Sequence, residues 1–208
     1  MNRMIRTSIA AATAIAATSA LAQNRVFNGS FESPPSSPLQ CFTGTLGGWT
    51  NSGPAESCYL NNSLGSPYPI AADGSQYMYI NRNSTAGVKV QQTVVLVQGH
   101  TYQLSFSLAG LDQHFGGTLV VSIENTPILT ASTPDSSSAW VPQTASFTSS
   151  INGVASLSFA SVTINAPLNI DQVSLIQTAV PEPSSLALFT AGTLLIGCAV
   201  SRSRQART

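Results

Sequence analysis

The sequence predicts an all-β protein folded as an antiparallel β-sandwich. Three observations point there. Short segments in which apolar and polar side chains alternate recur from residue 75 to residue 177. Clusters of Gly, Pro, Asn and Ser separate them. Nothing between them repeats with the period of an amphipathic helix. Alternation puts successive side chains on opposite faces of a strand, so one face is buried while the other meets solvent. Many short strands with such turns pack as two sheets.

In chain order, residues 25–32 alternate and then break at Ser33-Pro34-Pro35, which reads as a short strand followed by a loop. Residues 34–69 are rich in Gly, Pro, Ser and Asn and read as irregular, with Gly47-Gly48-Trp49 inside them. Residues 75–80 form a strand with Tyr77 and Tyr79 on one face and Met78 and Ile80 on the other. Residues 88–97 form a longer strand rich in β-branched side chains, which Gln98-Gly99-His100 turns into residues 101–108. There Tyr102, Leu104, Phe106 and Leu108 point inward. Further strands are predicted at 118–124, 143–148, 155–160 and 169–177, and no internal repeat is evident.

The two ends read as processing segments around a single domain at 23–178. Residues 1–22 carry Arg3 and Arg6, an apolar run and Ser19-Ala20-Leu21-Ala22, the pattern of a secretory signal peptide with an A-x-A site. Residues 179–208 hold Pro181-Glu182-Pro183, an uncharged apolar stretch at 186–200 that reads as a short transmembrane helix, and the basic tail Arg202, Arg204, Arg207. An ordinary C-terminal membrane anchor is one reading of these features. Their order resembles the PEP-CTERM sorting signal of Gram-negative bacteria. That resemblance implies an exosortase partner, cleavage near Pro-Glu-Pro, transient residence in the inner membrane, and a cell-surface or extracellular-matrix destination in a bacterium that makes exopolysaccharide.

The chain has a formal net charge of zero and 8% charged residues. Most of its arginines lie in the processing segments. The central part keeps Arg25, Arg82 and Lys89 against Glu32, Glu56, Asp73, Asp112, Glu124, Asp135 and Asp171. It is mildly acidic and lacks a basic patch, which argues against a nucleic-acid partner. Cys198 sits in the apolar tail, leaving Cys41 and Cys58 as an even pair in an oxidising compartment, so a disulfide is expected.

A second resemblance covers nearly all of the mature chain. In order, Asn28-Gly29-Ser30-Phe31-Glu32, Gly48-Trp49, Ala72-Asp73-Gly74, Gln91-Gln92-Thr93, the segment 99–106, Trp140 and Ile170-Asp171-Gln172-Val173 resemble the landmarks of the galactose-binding-like jelly roll, an outline shared by carbohydrate-binding modules. The resemblance implies a structural calcium ion held by Glu32 and Asp171 with backbone carbonyls. From the residues themselves, Asp171 shares parity with Val173 and Leu175 and is expected on the core side, where a carboxylate needs a partner. The alternative is that Asp171 caps backbone amides of the first strand without metal.

Sugars present C–H faces and hydroxyl rims, so a binding site needs flat aromatics beside polar groups. Tyr77, Tyr79, Tyr68 and Trp140 are the ligand-binding candidates, with Tyr59 and Phe115 behind them. Asn61, Asn62, Gln76, Asn81 and His114 are the polar partners, and Trp49 is expected in the core. An enzyme is not expected. Asp112-Gln113-His114 could be drawn into a triad, but serine is too abundant for that to discriminate. The favoured reading is an exported, non-catalytic module that binds exopolysaccharide in a biofilm matrix. The alternative is a structural or adhesive surface protein that binds proteins or copies of itself.

Overall fold

A computed structural model describes residues 23–53, 55–80 and 87–178. The segments 1–22 and 179–208, where a signal peptide and a sorting signal with a short apolar helix are expected, lie outside the described residues, as does Asn81. Among the described residues no helix is long and apolar enough to cross a membrane. The strands are β1 (Leu39–Phe42), β2 (Gly44–Leu46), β3 (Trp49–Asn51), β4 (Ser57–Asn61), β5 (Gln76–Ile80), β6 (Lys89–Leu96), β7 (Thr101–Ala109), β8 (Thr118–Ile123), β9 (Thr126–Ser132), β10 (Val141–Thr148), β11 (Gly153–Ser161) and β12 (Leu168–Gln177). They form two six-stranded sheets. Sheet A runs β1-β4-β5-β12-β7-β10 and sheet B runs β2-β3-β6-β11-β8-β9. Every recorded strand pairing is antiparallel.

The alternating strands do what their pattern requires. Met78 and Ile80 of β5, Leu104, Phe106 and Leu108 of β7, and Ile170 of β12 face Val90, Val121, Leu157 and Phe159 of sheet B across one apolar core. Trp49 is fully buried there, with its ring 5.3 Å from Phe31 and 5.8 Å from Phe159.

Three expectations need correction. Residues 25–32 are not a strand. Only Asn24 bridges to Ile176, and Asn28 and Phe31 adopt φ of 50° and 58°. Side-chain amides capture this backbone before a ladder can form. Asn28 Nδ2 donates to Ser33 O and Gly47 O, Gln92 Nε2 donates to Phe27 O and Gly48 O, and Gln92 Oε1 accepts from Phe27 N. Trp49 Nε1 donates to Asn28 O, closing the knot. Next, residues 34–69 are not irregular throughout, because they contain β1 to β4. Finally, β9 was not expected. It is joined to β8 through Glu124 and Asn125, both at positive φ, a two-residue hairpin whose Glu-Asn pair lacks the usual Asn-Gly signature.

Cys41 and Cys58 are register partners in β1 and β4 and form the expected disulfide. It closes a loop with a sequence separation of 17. Replacing both cysteines by serine is expected to lower stability by about 3 kcal/mol through the larger entropy of the open chain. Urea unfolding with and without reductant measures this, and coincident curves would refute it.

Candidate functional site

The site is built on the outer face of sheet A. Because β5 buries Met78 and Ile80 in the core, Tyr77 and Tyr79 must point the other way. Register carries that face across the sheet. Tyr79 pairs with Cys58 on one side and Asn169 on the other, and Asn169 in turn pairs with Ala109. Leu60 pairs with Tyr77, and Asp171 pairs with Ser107. Cys58, Leu60, Tyr77, Tyr79 and Leu111 make a second apolar cluster, separate from the core.

The chain between β4 and β5 folds back over this cluster. Leu64, Tyr68 and Ala71 pack on it, as does Trp140 from the lead-in to β10. Tyr68 meets Tyr79 edge-on at 6.0 Å, and Trp140 meets Tyr77 edge-on at 5.6 Å. The four aromatic candidates therefore come together from three separate segments. Their exposure differs. Tyr77 and Tyr79 are buried beneath residues 64–73, and Tyr68 and Trp140 are half-buried at the edge. Ile70 and Phe115 are 72% and 73% exposed, the second in the 110–117 loop whose Leu111 joins the cluster. Tyr59 faces the core with its hydroxyl donating to Leu46 O, so it is not a ligand contact.

Beside the aromatics lies a polar strip on β12, β7 and β10. Ser105 opposes Thr144 and Ser174, and Ser107 Oγ donates to Gln172 Oε1 at 2.8 Å. None of these side chains is charged. A flat aromatic edge next to uncharged hydroxyl and amide groups suits the C–H faces and hydroxyls of a sugar. Ser107, Asn169 and Gln172 were missed from sequence. The alternation of Leu168 and Ile170 with Asn169 and Asp171 carried the signal for Asn169.

Asp171 is not on the core side. A β-bulge shifts the register between Asp171 and Ser174, with Gln172 at φ 56°, so parity counted back from Val173 fails. Asp171 faces outward yet is fully buried under the strap of residues 64–73. Its Oδ2 accepts from Ala72 N and Asp73 N at 2.8 and 2.9 Å, and its Oδ1 from Gln172 N at 2.7 Å. Glu32 grips the same turn from the other side. Its Oε1 accepts from Ser75 N and Gln76 N, and its Oε2 from Ser75 Oγ. Gly74, at φ +65°, leaves room for that carboxylate, since a Cβ there would lie 2.6 Å from Glu32 Oε1. Capping is thus what both carboxylates do, but the amides belong to the 72–76 turn rather than to the first strand.

This arrangement does not fit a calcium ion shared by Glu32 and Asp171. The carboxylate oxygens point at N–H and O–H donors, whereas calcium needs six to eight oxygens turned toward it. Among the described residues no third His, Cys, Asp or Glu completes a group with them. Chelation by EDTA is expected to leave the melting temperature unchanged, and a clear drop would restore the metal.

Burial pushes the Asp171 carboxyl up to about 7 from an ordinary 3.8, with the three N–H bonds pulling the other way. The native state then holds a proton that the unfolded chain releases between about pH 4 and 7. The stability from this group is full below that window and is lost as pH rises through 7. The stability of the wild type relative to Asp171→Asn is expected to fall from pH 5 to pH 8. A constant difference in urea unfolding would contradict this.

The remaining polar candidates serve the scaffold. Gln76 donates to Phe31 O and Pro34 O and accepts from Ser36 N. Asn61 donates to Ser36 O, and Asn62 Oδ1 accepts from Ala71 N. Both asparagines border an open groove of about 460 Å³ with Glu32 and Ser63 that holds no aromatic ring. His114 Nδ1 donates to Asp112 O in its own loop.

The sequence and the fold were compared with known proteins. A family model described as a carbohydrate binding domain matches residues 23–167. A model of the PEP-CTERM protein-sorting motif matches residues 179–205. No curated protein matches the chain. Among solved structures the chain is similar to a cyclase from Fischerella sp. TAU, at 14% identity and TM-score 0.58, covering 76% of this chain and 98% of that one. It is similar to the CBM22-1 xylan-binding domain of Paenibacillus barcinonensis Xyn10C, at 14% identity and TM-score 0.52, covering 68% and 94%. It is also similar to the C-terminal family 22 carbohydrate-binding module of Clostridium thermocellum Xyn10B, at 18% identity and TM-score 0.50, covering 74% and 97%. At such identities these likenesses establish the fold alone.

Proposed function

This chain belongs to the carbohydrate binding domain family and carries a PEP-CTERM sorting motif, and from that premise we propose that it is the polysaccharide-binding module of an exosortase-sorted cell-surface protein. Its ligand is an extracellular polysaccharide of the producing Gram-negative cell, held in the matrix of a biofilm. The observation that carries this reading is the outer face of sheet A, where Trp140 and Tyr68 border an uncharged strip of Ser105, Ser107, Thr144 and Gln172. The module binds without catalysis. On that face the one acidic side chain named above, Asp171, is buried and spent on backbone amides. His114 is held by its own loop.

Affinity electrophoresis tests the reading, using gels cast with soluble xylan, β-glucan, mannan, galactan and the host's own exopolysaccharide. Retardation in at least one gel is expected. Migration unchanged in all of them would defeat it.

A second reading has one observation in its favour. The edge strands β9 and β10 contain no charged residue, so no like charge repels a second copy laid alongside them, although Pro127 and Pro142 each remove one N–H donor from those edges. An adhesive, self-associating protein would show a molecular mass that rises with concentration in sedimentation without any sugar.

A further inference from the structure

We propose that residues 64–73 are a strap that lifts from sheet A, and that a saccharide unit then occupies the site beneath it, bonded to the Tyr77 hydroxyl and the Asn169 amide oxygen. This rests on the polysaccharide-binding reading and adds a hidden subsite and an opening step to it.

The first observation is a pair of orphaned polar groups. Tyr77 and Asn169 are both fully buried on the outer face. Asn169 Nδ2 donates to Gly110 O at 2.7 Å, but its Oδ1 finds no partner among the described residues, and neither does the Tyr77 hydroxyl. Buried polar groups are nearly always bonded, and each one left unpaired raises the energy of the state that buries it. Closing the strap therefore works against itself at these two positions. A sugar hydroxyl donates to the amide oxygen and either donates to or accepts from the phenol, while a C–H face packs on Tyr79.

The second observation is how the strap is fastened. It shares no strand ladder with the sheet. Ala71 N donates to Asn62 Oδ1, Ala72 O accepts from Gln172 Nε2, Ile70 O accepts from Trp140 Nε1, and Asp112 N reaches Pro67 O. Asp171 grips its last two amides. Apart from the packing of Leu64, Tyr68 and Ala71 on the outer cluster, these are point fastenings that break one at a time, so such a segment opens locally without global unfolding. Ile70 stands at the crown, exposed, with no apolar seat to hold it down.

The test uses the full chain with xylohexaose and cellohexaose as probes. Tyr77→Phe is expected to keep or raise the melting temperature, because it deletes an unpaired hydroxyl, and to weaken binding about tenfold, because it deletes a ligand bond. Asn62→Ala removes a fastening outside the subsite. It is expected to speed amide exchange across residues 68–73 and to tighten apparent affinity, since less of the protein is held closed. Either probe bound to the wild type should alter exchange in the same residues. Tyr77→Phe with a lower melting temperature and untouched affinity would mean that the hydroxyl serves the fold alone, for example through a buried water, and would overturn the subsite. Unchanged exchange on binding would overturn the lifting strap while leaving the polysaccharide reading intact. No binding of either probe by the wild type would overturn the subsite as a xylose or glucose site, while the gels cast with the five polysaccharides separately decide the polysaccharide reading.

Discussion

Gly29→Ala is expected to cost about 3 kcal/mol or more, a large share of the roughly 5–15 kcal/mol that holds a typical domain folded. A Cβ at this position would lie 1.9 Å from the carbonyl oxygen of Val173 and 2.9 Å from its carbonyl carbon. Both are backbone atoms, so no rotamer change relieves the clash. Val173 N also donates to Gly29 O at 2.9 Å, which means that the opening segment cannot move away from β12 without breaking that bond. The knot of Asn28, Trp49 and Gln92 holds the other side. Gly99→Ala is the control. Gly99 has φ +79° but nothing within 4 Å of its Cβ, so only the left-handed conformation is penalised, at about 1 kcal/mol. Urea midpoints of the two variants decide the matter, and equal losses would refute the close-approach argument.

Trp140→Ala is expected to weaken polysaccharide binding at least about thirtyfold, the loss typical of a half-buried aromatic anchor worth about 2 kcal/mol. Trp140 has one edge against Tyr77 of β5, with ring centroids 5.6 Å apart, so its ring is held in place before any ligand arrives. A pinned ring loses little entropy on binding. Trp140→Phe keeps a flat face without the N–H and should recover part of the affinity. Isothermal titration against the tightest-binding polysaccharide reads both variants. Full affinity in the alanine variant would move the site elsewhere.

How much of this was legible in the sequence follows from what kind of pattern each element leaves. Residues 101–108 and 155–160 alternate strictly, and β7 and β11 lie there. The aromatic set was legible because parity alone separates Tyr77 and Tyr79 from Met78 and Ile80. That the strap covers two of them was not, because a loop folding back leaves no period. Asp171 misled because one extra residue in a bulge reverses every face count beyond it. The opening motif misled in another way. Residues 25–32 alternate like a strand, but Asn28 and Gln92 claim their backbone. Those same amides are invisible to propensity, since their partners lie up to 65 residues away.

The body is entered and left at one corner. Asn24 bridges to Ile176, and Thr178 N donates to Thr101 O, so both ends of the described domain meet beside the start of β7. The aromatic cluster sits by the other end of that strand, opposite Ser107 and Ala109. At about 3.3 Å per residue, roughly 20–25 Å of sheet separates the two poles. The aromatic pole therefore stands at the end of the described domain opposite Asn24 and Thr178, so a long polymer could lie across it without meeting either of those two residues.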